Sequence, residues 1–252
     1  MLSSLLYELR RIRSIRATWI VSGIYLVSVG LLGALPIYLG RHDAKSFVIQ
    51  SWKGLYNTPA NFLSVVLLSV IASQSFGHEY RYGTIRLTLS EFPRRERVIA
   101  AKSVVLAGYV ILMTFLAWSV LGLVGRFAPA GSMDSRAPGF ILGEGVPADL
   151  WKVLVYGLGY AFIAFSISTI TKNLALGIVI PLLLATVIEG LFTLINTLLN
   201  DRLLWLLHAL PISNANAWLY GSQTLPHGGL VFAIWVLALY AGATALFVRR
   251  DA

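Results

Sequence analysis

Two stretches of this chain place chemically capable side chains in unusual surroundings. The first surrounds Glu189, a carboxylate within a long apolar run over 174–199. Thr186, Thr193, Asn196, Thr197 and Asn200 accompany it. At about 100° per residue these six polar groups share roughly a 100° arc of one helix face, and the opposite face is Leu, Ile, Val and Phe. A carboxylate turned to lipid is costly, so Glu189 must face protein or water. Such a stripe either lines a hydrated path or ties helices together by hydrogen bonds. On a path, three roles are open to Glu189: holding a cationic or hydroxyl-bearing substrate, carrying a proton, or locking two subunits together.

The second stretch runs from His78 to Lys102 and contains Glu79, Arg81, Gly83, Thr84, Arg94 and Arg95. Gly83 breaks an incoming helix, and Thr84 is placed to cap a short helix over about 85–90. Pro93 suits the first turn of the next helix, where a missing N–H costs nothing. By charge alone the same residues read as an ordinary basic loop beside a membrane.

Other chemistries are excluded. No Gly-Lys dipeptide occurs, so the chain lacks the phosphate-cradling loop that ATP hydrolysis needs, and any nucleotide must sit on a partner. His42, His78, His208 and His227 lie in separate loops and span ends without paired spacing, which argues against a metal site. There is no cysteine, hence no thiolate ligand, disulfide or cysteine nucleophile. Ser64, Ser69, Ser73 and Gln74 read as helix-packing groups rather than nucleophiles.

The elements that must carry these residues are set by composition. Hydrophobic residues make up 57 % of the 252, charged residues only 12 %, and mean hydropathy is +0.75. A soluble domain carries about a quarter charged residues, so lipid is the expected solvent. A bilayer span takes about 20 apolar residues, and six runs qualify: 17–39, 59–78, 98–126, 150–171, 174–199 and 229–248. The first is too long for a cleavable signal core. The fourth and fifth are separated only by Thr171-Lys172-Asn173, which requires a tight antiparallel hairpin.

The net charge of +9 is unevenly spread: alternate connections hold 13 Lys and Arg on one side and 7 on the other. The richer side is expected to be cytoplasmic, and an even number of spans puts both termini there. Because the arginines flank apolar runs, anionic lipid rather than nucleic acid is their expected neighbour. Before the first span, Leu2, Leu5, Leu6, Leu9 and Ile12 follow a helical period, with Glu8 and Arg11 opposite. Residues 1–16 therefore read as an amphipathic interfacial helix, the alternative being a disordered basic leader. Residues 200–218 are too apolar for a plain loop and too short to span. They read as an outer re-entrant or interfacial segment with Trp205 and Trp218 at headgroup level, or as an extension of the fifth helix.

The run Glu79-x-Arg81-x-Gly83-Thr84, followed by Pro93-Arg94-Arg95 and Ala101-Lys102, resembles the loop between the second and third spans of ABC type-2 transporter permeases. Six spans after a basic amphipathic helix extend that resemblance over essentially the whole chain. It implies an all-α permease in the bacterial inner membrane, paired with a second permease subunit, identical or related. It also implies separate ATPase subunits carrying ATP and Mg, docked through a coupling helix in the loop 79–97. On that basis Glu79, Arg81, Gly83 and Thr84 hold the coupling element, while Arg94 and Arg95 face the partner or anionic lipid. Thr186, Glu189, Thr193, Asn196 and Asn200 are the expected substrate path of an exporter. The rival expectation is a proton-coupled secondary transporter using Glu189, although such proteins often show inverted repeats, and none is evident.

Overall fold

An apolar chain in lipid must satisfy its backbone internally, which favours helix wherever long apolar runs occur. A computed structural model describes residues 2–42, 55–60, 62–92, 94–127, 150–200, 202–221 and 227–249. About 90 % of the structure is helical and no strand occurs among the described residues. In chain order the helices are α1 (Leu2–Ser14), α2 (Arg16–His42), α3 (Phe62–Arg81), α4 (Ile85–Glu91) and α5 (Arg95–Arg126). Then come α6 (Leu150–Thr171), α7 (Leu174–Leu198), α8 (Leu204–Leu207), α9 (Pro211–Tyr220) and α10 (Gly228–Arg249). Pro93, expected in the first turn of α5, lies outside the described residues, as do the connections 43–54 and 128–149.

Five helices are long and apolar enough to cross a membrane: Arg16–Leu35 of α2, then α5, α6, α7 and α10. The chain is thus a multi-pass membrane protein. The expected second span, 59–78, falls on α3, which is not among those five. Its apolar stretch is interrupted by Ser73-Gln74-Ser75 and ends in His78-Glu79-Tyr80-Arg81.

The breaks between helices have local causes. At the end of α3 the chain reverses through Gly83, whose φ of 67° lies in the left-handed region that a side chain disfavours. Thr84 stands at the expected cap of α4, but its backbone is helical and its hydroxyl makes no cap bond. The turn at Gly83, not the Thr84 side chain, starts the helix. Between α6 and α7, Lys172 adopts a φ of 55°, and Asn173 caps α7 by accepting from the amides of Ala175 (2.8 Å) and Leu176 (3.4 Å). The expected hairpin therefore forms, with only Lys172 and Asn173 between the two helices.

Within α7 the backbone departs from a uniform helix. Pro181 has no N–H to donate, and a π-helical turn over Leu184–Ile188 comes after it. A π turn inserts extra residue length, so the helix beyond it is rotated relative to the helix before it.

The chain divides into two units. One comprises residues 13–68 and 107–158. Its core holds Tyr25, Val29, Leu55, Tyr56, Ala117 and Leu121, and the Trp118 indole donates to the Tyr56 carbonyl at 3.1 Å. The other comprises residues 1–12, 69–106 and 159–252. Its core is aromatic: Phe76 meets Phe247 at 4.9 Å and Phe165 at 5.2 Å between ring centres. Both the loop residues Glu79–Arg95 and the stripe around Glu189 belong to this second unit.

Candidate functional site

The four charged groups at the centre of this unit come from three helices. Glu8 and Arg11 project from α1, Glu79 from the end of α3 and Lys102 from the early turns of α5. Lys102 is 1 % exposed; its Nζ donates to Glu8 Oε1 (2.7 Å), Glu79 Oε1 (2.8 Å) and the Ser75 carbonyl (3.2 Å). It also lies 5.0 Å from the centre of the Phe76 ring. Arg11 completes the set, donating to Glu79 Oε1 and, at 2.5 Å, to the Ser75 carbonyl, with its Nε 3.5 Å from Glu8 Oε2. Two carboxylates and two cations thus sum to zero, which is how a low-dielectric interior tolerates charge. Burial pulls the Arg11 guanidinium below its usual range, opposed by the neighbouring Glu8, yet an arginine stays charged.

This network reaches α4. Thr88 shares its hydroxyl between the Thr84 carbonyl at 3.4 Å and Glu79 Oε1 at 3.5 Å, and with Ile85 it forms the buried side of the short helix. The other side shows Arg86, Ser90, Glu91 and a Leu87 that is 70 % exposed. Glu79 is therefore not a surface residue of the loop but the acceptor shared by α1, α4 and α5.

The remaining loop residues are dispersed. Arg81 is exposed and lies 5.8 Å from the Tyr82 ring centre. Arg94 is exposed. Arg95 is half-buried and donates to the Phe247 carbonyl at 3.4 Å, in the last turn of α10, where a cation suits the negative helix end. Arg94 and Arg95, adjacent in sequence, thus have different surroundings.

The α1 helix packs on the protein by its polar side. Its inward line is Ser4, Glu8 and Arg11, while Leu6 and Leu9 are 46 % and 53 % exposed. The polar face packs on protein, while Leu6 and Leu9 face outward and Leu5 is half-buried. Sequence reasoning placed Glu8 and Arg11 opposite the leucines but did not pair them with Lys102. The available signal was a lysine set four residues into an expected span, where an isolated charge needs a partner.

The stripe on α7 separates into two groups. Glu189 is 2 % exposed and accepts from the Ile212 amide (2.8 Å), the Ser213 hydroxyl (2.6 Å) and the Ser213 amide. Those amides are the free N-terminal donors of α9, where a carboxylate is favoured by both hydrogen bonding and the helix dipole. Pro211, at the first position, has no amide to satisfy. Asn196, also buried, accepts from the Leu203 amide at 2.9 Å. Both therefore fix the segment C-terminal to α7. Thr186, Thr193 and Thr197 are exposed and return their hydroxyls to α7 carbonyls of Leu182, Glu189 and Thr193. Asn200, at a φ of 49°, is exposed just beyond the helix end.

Residues 202–221 are accordingly not an extension of the fifth helix: they form α8 and α9, and Asn214 binds the first to the second. Its Nδ2 donates to the carbonyls of Leu207 (2.8 Å), His208 (3.1 Å) and Leu210 (2.7 Å). Trp205 is exposed, and Trp218 is half-buried against Gly229 of α10. Among the described residues no group of His, Asp and Glu could hold a metal ion.

Five span-length helices and a short helix α4 seated on a buried charge network describe a multi-pass membrane protein. A family model described as ABC-2 family transporter protein matches residues 4–199, and the chain belongs to that family. No curated protein matches it.

Proposed function

We propose that this ABC permease is the membrane-spanning subunit of an ATP-driven exporter in a bacterial inner membrane, with both termini cytoplasmic. It pairs with a second permease, identical or related, and couples to separate ATPase subunits that carry ATP and Mg. Membrane subunits of this family generally work with ATPase partners. The observation that carries the reading is α4: one side is tied through Thr88 to Glu79, and the other presents Leu87 and Arg86 to the surroundings. Such a helix suits docking in an ATPase cleft, with Gly83, Thr84, Arg94 and Arg95 around it, while Arg81, expected among them, lines the cavity beside the α6–α7 turn.

In this mechanism closure of the ATPase dimer displaces α4. The shared acceptor Glu79 passes the displacement to α3, to α1 through Arg11, and to α5 through Lys102. The paired bundles then change which side their path faces. Nucleotide shifts that equilibrium only through contacts that differ between the two states. The path is assigned to the exposed α7 residues Thr186 and Thr193 and to Asn200 beyond them, while Glu189 and Asn196, expected to line it, hold α9 and Leu203 at its edge. The family match does not support a proton-coupled secondary transporter built on Glu189.

The test is co-purification of the tagged permease with a soluble ATPase from its own cells, then transport in sealed vesicles. ATPase and permease should co-elute in mild detergent, and ATP should drive export without a proton gradient. Recovery of the permease with no bound ATPase, or transport that collapses with an uncoupler and ignores ATP, overturns the reading.

A further inference from the structure

The turn between α6 and α7 meets the end of α3 around a half-open cavity of about 450 Å³. Two cations line it, Arg81 and Lys172, together with Tyr80 and Asn173; no carboxylate is among its described lining residues. The nearest acid in sequence, Glu79, is directed into the buried network instead. Its remaining walls are apolar, from Leu174 and Ile178 among others. The Lys172 ammonium lies 5.4 Å from the centre of the Tyr80 ring, a contact that helps to position it.

The two cations come from separate segments held in tight register. A Cβ on Gly77 would stand 2.6 Å from Leu174 Cα, so α3 and the start of α7 approach as closely as backbones allow. This close approach places Arg81 and Lys172 on one cavity. Because α6 and α7 are both long enough to cross the membrane, their short turn lies at a membrane face. Beyond the cavity the line of α7 that continues from Leu174 and Ile178 is apolar, running through Pro181 and the half-exposed Leu182.

We propose that this cavity binds the phosphate of an anionic phospholipid, with Arg81 and Lys172 on the headgroup and the acyl chains along α7. A cationic mouth above an apolar wall matches both halves of that ligand, whereas a general basic surface would match only the charge. A phosphate accepts from guanidinium and ammonium donors in charge-assisted hydrogen bonds. Asn173 and Tyr80 add polar contacts at headgroup level.

Native mass spectrometry of the purified permease, titrated with phosphatidylglycerol or phosphatidylcholine, tests the site. Phosphatidylglycerol should bind about tenfold or more tightly than phosphatidylcholine. The pair Arg81→Gln/Lys172→Gln should erase that preference, while Arg86→Gln/Arg94→Gln, which removes equal charge outside the cavity, should keep it. Ala175→Glu provides a second route: it places a carboxylate at the cavity in the first turn of α7, where the helix end favours it, and should repel the lipid with the fold retained. Unchanged preference in Arg81→Gln/Lys172→Gln and in Ala175→Glu, or an equal loss in Arg86→Gln/Arg94→Gln, overturns the proposal. Two further outcomes also reject it. Displacement by inorganic phosphate at matching concentration would assign the cavity to a soluble phosphate, and loss of lipid on ATPase binding would assign it to a protein partner.

Discussion

The ammonium of Lys102 lies 2.7 Å from Glu8, joining the first helix of the chain to the fifth. The same nitrogen is 2.8 Å from Glu79, so a single buried cation holds two carboxylates that would otherwise repel. A charge in this position is held in place by its neighbours more than it stabilises them.

That relationship predicts a non-additive result. Lys102→Met should lower stability by roughly 3–5 kcal/mol, since it leaves two buried carboxylates to Arg11 alone. Adding Glu8→Gln restores neutrality, so the double variant should melt above the single one. Thermal unfolding in detergent measures both, and additive losses would reject the network as a unit.

Thr88→Val removes the hydroxyl that links α4 to Glu79 while keeping the shape of the side chain. A cost of about 1 kcal/mol is expected, too little to prevent assembly. Under the proposed mechanism ATPase binding should persist while ATP-driven transport falls. Equal transport at equal ATPase occupancy would remove Thr88 from the coupling route.

Glu189→Gln replaces an acceptor-only group by one that also donates, so at least one N-terminal amide of α9 loses its partner. Hydrogen exchange at Ile212 and Ser213 should accelerate, with a stability loss of about 1–3 kcal/mol. ATPase docking should be unchanged. Unaltered exchange at those two amides would contradict the pinning of α9 by α7.

Two glycines should differ sharply. Gly83→Ala strains a left-handed residue by roughly 1–2 kcal/mol but meets no neighbouring atom within 4 Å. Gly77→Val drives a side chain into the backbone of Leu174, which cannot move aside without separating α3 from α7. Folded yield should therefore survive the first substitution and collapse in the second.

Much of the architecture was legible because helices in lipid announce themselves by apolar length. α1, the α6–α7 hairpin and α4 all arise from local signals: a leucine period, a three-residue connection and a glycine break. Relationships between distant residues escaped. Glu8, Arg11 and Lys102 each looked like surface charge, because a sequence does not show which solvated face another helix will cover. The arc drawn through Thr186 and Glu189 assumed a uniform 100° step, which the π turn over Leu184–Ile188 breaks. Glu189 was correctly expected to avoid lipid, but its partners lie more than twenty residues away, at Ile212 and Ser213.

The seating of α1 also constrains how the protein is made. Glu8 and Arg11 emerge from the ribosome long before Glu79 and Lys102, the groups they bind. Until those arrive, the buried partners of α1 are missing. Its docking is then a late step, available only once α3 and α5 stand side by side with Ser75, Glu79 and Lys102 facing the same way.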